Sequence, residues 1–208
     1  MYLNELKDKV AAYLNRSDLS AYITDFINLA QRRIEESDDW PWLEKVQSGT
    51  ILETEATIAV PSSLRKLKCL RITYSDYTYD CRQTSIEDLT LLQSSFGATG
   101  RPRYFAVDWA NSVIRFAPEP DQDYDYELRY IPYSADLSES NNHNTWTDDH
   151  WNVLLYGALL EAQPFLLDDA RLQIWLGMYQ EAMARLKFVK SSIEFSGYQN
   201  IRGGQPVV

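Results

Sequence analysis

The stretch that decides the fold is Trp151-Asn152-Val153-Leu154-Leu155-Tyr156-Gly157-Ala158-Leu159-Leu160-Glu161-Ala162. Trp151, Leu154, Leu155, Ala158, Leu159 and Ala162 recur at steps of three and four, which lines them along one helical face, and Pro164 ends the run. Leu172, Trp175, Leu176, Tyr179, Met183, Leu186 and Val189 repeat the spacing and predict a helix from about residue 168 to 194. Apolar helix faces need a partner, and the other end of the chain offers one. Leu3, Leu6, Val10, Tyr13 and Leu14 share a face, as do Leu19, Tyr22, Ile23, Phe26, Ile27, Ala30 and Ile34. The break at Asn15-Arg16-Ser17-Asp18 is short enough to fold the two helices into a hairpin, and Asp38-Asp39-Trp40-Pro41 stops the second.

The middle of the chain reads as strands. Ala56 to Pro61 is short and rich in β-formers, and Leu67 to Tyr74 with Tyr77 to Gln83 predicts a hairpin turning at Ser75-Asp76. Tyr104 to Val107, Ser112 to Phe116 and Tyr124 to Tyr130 make a second group, the first two joined by a tight turn at Ala110-Asn111. Between the groups, Ser85 with Asp88 three residues on, and then Ile86, Leu89 and Leu92, give a short amphipathic helix. The expected class is α+β, a four-helix bundle formed from both chain ends with a β-rich insertion between helices two and three. Its parts are an N-terminal helical hairpin (1–40), the β-rich insertion with one short helix (41–137), a C-terminal helical hairpin (138–195) and an extended tail (196–208). Leu6, Val10, Phe26, Ile27, Leu155, Leu159, Trp175 and Tyr179 are the expected bundle core.

The chain has 208 residues, 45% of them hydrophobic and 24% charged, with 8 Gly and 8 Pro, which excludes collagen-like and disordered classes. No apolar run approaches the roughly 18 residues of a membrane span. The opening Met1-Tyr2-Leu3-Asn4-Glu5-Leu6 lacks the basic-then-apolar layout of a secretory signal, so a soluble cytosolic product is expected. The net charge is −10, and residues 41–163 hold 10 basic against 18 acidic side chains. That balance argues against a nucleic-acid groove as the main surface, because counterion release needs clustered cations. Tyr and Trp are abundant, at 14 and 6, and such half-polar rings suit partner surfaces. The hairpin register sets Cys69 opposite Arg82 rather than Cys81, so both cysteines read as free thiols.

Catalytic constellations fail one by one. His143 and His150 are seven apart with no Cys nearby, and Asp148-Asp149 read as helix N-terminal residues rather than metal ligands. The sequence has neither a Gly-x-Ser-x-Gly elbow nor a phosphate loop. Glu119, Asp121, Asp123, Asp125 and Glu127 alternate along a strand, which places them on one solvated face rather than across a cleft. No catalytic, cofactor or metal residue is assigned.

Tyr13 to Leu19 followed by Phe26 to Ile34 resembles the opening helices of the head-to-tail adaptor family of tailed bacteriophages. Val60-Pro61-Ser62-Ser63-Leu64 with Leu67 to Leu70, Ile114 to Pro120, Tyr156 to Ala162, and Asp168 to Arg171 with Trp175 and Tyr179 are similar to the same family, in the same order. Ile131-Pro132-Tyr133 and the polar loop to Trp146 depart from it. The resemblance implies a structural virion protein without enzymatic activity. It further implies a ring of about twelve copies bound beneath the portal protein ring. That ring would sit at the head-tail junction, meet tail or nozzle proteins and let DNA pass through without specific binding. Assembly in the host cytoplasm, without cofactor or membrane, completes the expectation. A carbohydrate-binding module built on exposed Trp and Tyr, or a small hydrolase, are the rival readings. In the tail, Gly203, Gly204 and Pro206 oppose helix, while Phe195, Tyr198, Ile201, Val207 and Val208 are apolar anchors expected to dock into the portal.

Overall fold

The computed structural model describes residues 1–16, 18–96, 99–166 and 170–195, without the side chains of Thr54, Phe96 and Phe195. It divides the chain into a helical unit, residues 1–42 with 134–208, and a sheet unit, residues 43–133.

The helical unit is arranged around one helix. Helices α1 (Leu3–Leu14) and α2 (Ile23–Ser37) come from the N-terminal side. The short α4 (Thr145–Asp149), α5 (Trp151–Glu161) and the long α6 (Arg171–Phe195) come from the C-terminal side, α3 belonging to the sheet unit below. Val153, Leu154, Leu155, Gly157, Ala158 and Leu159 of α5 are all buried, an arc too broad for one partner. Accordingly α1, α2, α4 and α6 all pack on it, α2 most extensively. Gly157 lets α2 come close: a Cβ there would stand 2.9 Å from the Ala30 Cβ.

A polar row on α2 organises the chain where it returns from the sheet. Asn28, Gln31, Arg32 and Glu35 share one helical face by their spacing. The Asn28 amide donates to the Leu137 carbonyl at 3.1 Å and accepts the Leu137 N–H at 2.8 Å. Gln31 donates to the Ala135 carbonyl and accepts from the Asn144 amide at 2.7 Å, while the Asn144 Oδ1 caps α4 through the Trp146 and Thr147 N–H groups. Arg32 pairs with Asp136, and the fully buried Glu35 accepts the Trp146 indole N–H at 2.8 Å and the Ser134 N–H. Trp146 in turn meets Trp40 edge-on at 5.8 Å, and Trp40 stacks on Trp42 at 5.2 Å.

The sheet unit contains β1 (Lys45–Ile51), β2 (Thr57–Ala59), β3 (Leu64–Tyr74), β4 (Tyr77–Gln83), α3 (Ile86–Phe96), β5 (Tyr104–Asp108), β6 (Val113–Ala117) and β7 (Tyr124–Pro132). Its strand order is β1-β7-β3-β4-β5-β6-β2, antiparallel except for the short β4–β5 pair. The outermost strands β1 and β2 are joined by residues 52–56 alone. That link spans at most about 22 Å, whereas the edges of a flat seven-stranded sheet stand about 29 Å apart. The sheet must curl, and it forms a near-barrel. All seven strands feed one core, with Ile51, Ile58, Leu70, Ile72, Cys81, Phe105, Ile114, Phe116, Tyr124 and Leu128 buried in it. Gly49 of β1 pairs with Tyr126, whose ring covers the glycine so closely that a Cβ would meet its Cε1 at 3.0 Å.

This architecture corrects the expected fold class. Among the described residues the chain forms a seven-stranded mixed near-barrel with six helices, not a four-helix bundle carrying a small insertion. The helices do not form four equivalent neighbours, because α5 lacks a polar stripe and takes the centre. The sheet is larger than expected because β1, exposed at every residue but the part-buried Gln47 and the buried Ile51, shows no alternating hydrophobic signal. In the hairpin, Tyr74 faces Tyr77 and Leu70 faces Cys81, the register read from the sequence. The β5–β6 connection is a four-residue turn, Trp109 to Ser112, rather than a two-residue one.

The α2–α5 contact yields a test. Gly157→Ala costs about 1–3 kcal/mol by overpacking against Ala30, despite the better helix propensity of alanine. Adding Ala30→Gly recovers most of that loss in a double-mutant cycle read by urea unfolding.

Candidate assembly surfaces

Among the described residues no three His, Cys, Asp or Glu side chains converge to hold a metal, and no helix is long and apolar enough to cross a membrane. Cys81 is buried, and burial pushes its thiol up to about 12, which leaves it protonated rather than nucleophilic. Cys69 faces Arg129 of β7 across the ladder, and its thiol is also pushed up by burial. His143 lies 3.3 Å from Asp148, while His150 packs on Trp42 at 4.7 Å, where burial lowers its pKa.

The acidic alternation is occupied by local bonds. Asp121 accepts the Tyr124 hydroxyl at 2.7 Å, Asp123 the Glu53 N–H at 2.9 Å and Asp125 the Thr50 hydroxyl at 2.9 Å. Glu127 pairs with Arg129 at 2.7 Å and with Arg71. Glu119 receives a long bond from the Gln93 amide. These carboxylates brace strand ends and connectors rather than facing one another across a cleft.

The residues expected in the core lie at the helix contacts. Leu6, Val10, Phe26, Ile27, Leu155, Leu159 and Trp175 are buried, and Tyr179 is half-buried. Arg171 fixes the start of α6 by donating to the Tyr13 and Leu14 carbonyls and lying over the Trp175 ring at 5.0 Å. Farther along, Lys190 pairs with Asp38 at the end of α2. Of the expected docking anchors, Tyr198, Ile201, Val207, Val208 and the Phe195 side chain lie outside the described residues.

What sequence reasoning missed is the other side of α6. Its buried face is narrow, consisting of Trp175, Ala182 and Leu186. Leu176 and Val189, assigned to that face by spacing, are 38% and 45% exposed. Ile174, Met178, Phe188 and Val189 fall within about 100° of one another around the axis, and all four are exposed, Phe188 at 77%. The apolar arc of α6 is thus wider than α5 covers, and large exposed apolar surfaces mark binding sites. The signal was present in Ile174 and Phe188, which fit no single helical face with Trp175.

A family model with the description SU10 adaptor protein matches residues 1–202. No curated protein matches the chain.

Two outcomes are expected. Trp175→Ala lowers unfolding stability by about 3–5 kcal/mol, whereas Phe188→Ala changes it by less than about 0.5 kcal/mol, both measured by urea titration. Glu35 supplies a pH signature. Burial raises its pKa above the unfolded value, outweighing the Ser134 and Trp146 hydrogen bonds and Arg32. Its contribution is therefore fully present below the ordinary carboxylate range and lost as pH rises through the raised value. The stability of the wild-type chain should fall relative to Glu35→Gln between pH 4 and pH 7 (about the range above the ordinary Glu pKa).

Proposed function

The chain belongs to the SU10 adaptor protein family, a family of phage head-tail adaptors, and on that premise we propose that it forms a closed ring beneath the portal, extends the DNA channel and provides the platform for the tail. The family makes it a structural protein of the virion, with portal and tail proteins as its partners in general. The observation that carries the more detailed reading is α6, which offers Ile174, Met178 and Phe188 to solvent and leads directly into the C-terminal segment. A helix with more apolar surface than its own unit covers is suited to burial in an assembly. The acidic excess of residues 41–163 suits a channel that repels phosphates and lets DNA slide, because the duplex finds few cations to hold it.

The C-terminal segment is the proposed attachment arm, with Phe195, Tyr198, Ile201, Val207 and Val208 as anchors in a crevice of the portal ring. One arm alone binds weakly, since it loses conformational freedom on docking. A ring of arms holds firmly, because each docked arm raises the effective concentration of the others. Deleting residues 196–208 is expected to leave a folded protein, judged by circular dichroism, that no longer sediments with portals. Undiminished co-sedimentation of the truncated protein would contradict the arm.

A further inference from the structure

Three arginines of the sheet unit are set apart from the rest. Arg71, Arg115 and Arg129 each sit on a carboxylate, at 3.0, 2.8 and 2.7 Å. Arg82, Arg101 and Arg103 have no carboxylate partner among the described residues, although the chain carries ten more acids than bases. The fold nevertheless gathers them. The Arg82 N–H donates to the Arg103 carbonyl at 2.9 Å, beside the brief parallel pairing of β4 and β5. Arg101 and Arg103 line a cleft of about 210 Å³ with Thr99, Gly100 and Pro118. The Arg101 guanidinium lies 3.8 Å from the Tyr79 ring centre and 5.0 Å from that of Tyr77. Tyr79 is itself fixed by donating its hydroxyl to the Pro102 carbonyl at 2.8 Å. Stacking of this kind, with a hydrogen bond to Tyr79, holds the guanidinium in place before a partner arrives.

The same unit carries the opposite charge, also unmatched. Glu53, Glu55, Asp123 and Asp125 are exposed at the link between the two sheet edges, and no cation pairs with any of them among the described residues. Their backbone is ordered by the Asp123 and Asp125 hydrogen bonds given above. Like charges kept together without counter-charges repel, and complementary patches across an interface relieve that repulsion while setting register.

We propose that the Arg101–Arg103 cleft of one copy receives the Glu53–Glu55 lobe of the next copy. Each copy carries both a cleft and a lobe, so a cleft-to-lobe contact is heterologous and repeats from copy to copy around a closed ring. A duplex phosphate backbone fits less well. It would have to approach a chain of net charge −10 and would leave the acidic lobe unmatched. Arg and Tyr at the cleft are also the residue types that anchor protein interfaces. The proposal rests on the ring reading above and names the contact that closes it.

The test is a charge exchange, with folding of every variant checked by circular dichroism. Arg101→Glu/Arg103→Glu and Glu53→Arg/Glu55→Arg are each incubated with portals, and ring occupancy is counted by native mass spectrometry and imaging. Each variant alone should lose at least tenfold in ring occupancy. Mixed in equal amounts the two should recover it, because every cleft then meets a lobe of opposite sign. A single chain carrying all four changes should also assemble. Normal rings from either double variant alone, or no recovery on mixing, would overturn the proposal while leaving the adaptor reading intact. So would loss of DNA binding by the arginine variant with its rings unchanged, which would assign the cleft to phosphate. Failure of the wild-type chain to ring on portals would overturn both.

Discussion

Helix α5 has almost no surface to give to water. Val153, Leu154, Leu155, Ala158 and Leu159 point around most of its circumference, and each must be covered. No neighbour in sequence is enough to do this, so α1 and α2 return from the far end of the chain and α6 closes another side. That requirement makes one unit from the two chain ends and leaves the sheet as an excursion between them. The polar row on α2 then fixes how the chain comes back from the excursion. Asn28, Gln31 and Glu35 bind residues 134–146 through backbone and side-chain hydrogen bonds. A buried carboxylate is costly, and the Trp146 and Ser134 donors offset part of that cost at Glu35 without cancelling it.

The helices were legible because their apolar residues keep a period near 3.6 and their ends are marked by polar breaks and prolines. The β3–β4 hairpin was legible because its two arms meet at a short polar turn. The arrangement was not legible. Periodicity gives the existence of an apolar face but not its width, and the width of the α5 face is what makes it central rather than one of four equals. Strand β1 escaped because Lys45-Val46-Gln47-Ser48-Gly49-Thr50 lies at an edge and buries only Ile51. It is held by its ladder to β7 and by the Tyr126 ring over Gly49, neither of which is a local signal. The family likeness was carried partly by helical segments, Tyr156 to Ala162 in α5 and Phe26 to Ile34 in α2, and partly by segments of the sheet unit, Val60 to Leu70 and Ile114 to Pro120.

Surface chemistry separates what the subunit needs for itself from what it offers to others. Many charges of the described residues are paired internally, as in Arg33–Glu161, Arg115–Asp108 and Lys190–Asp38. Three features are left on offer: an apolar side of α6, an arginine cleft and an acidic lobe. A protein that acts as a link between larger parts requires surfaces of this kind and no reaction centre. Such surfaces also contribute little to the folded subunit, so they are free to be shaped by assembly.

The central claim is that this chain closes into a ring on the portal. Electron microscopy of portal complexes with and without the protein tests it most directly. The account predicts an added closed ring, coaxial with the portal, with the outward side of α6 covered by a neighbour or by the portal. Bare portals beside monomeric protein, or copies bound singly with Ile174 and Phe188 still facing solvent, would contradict it.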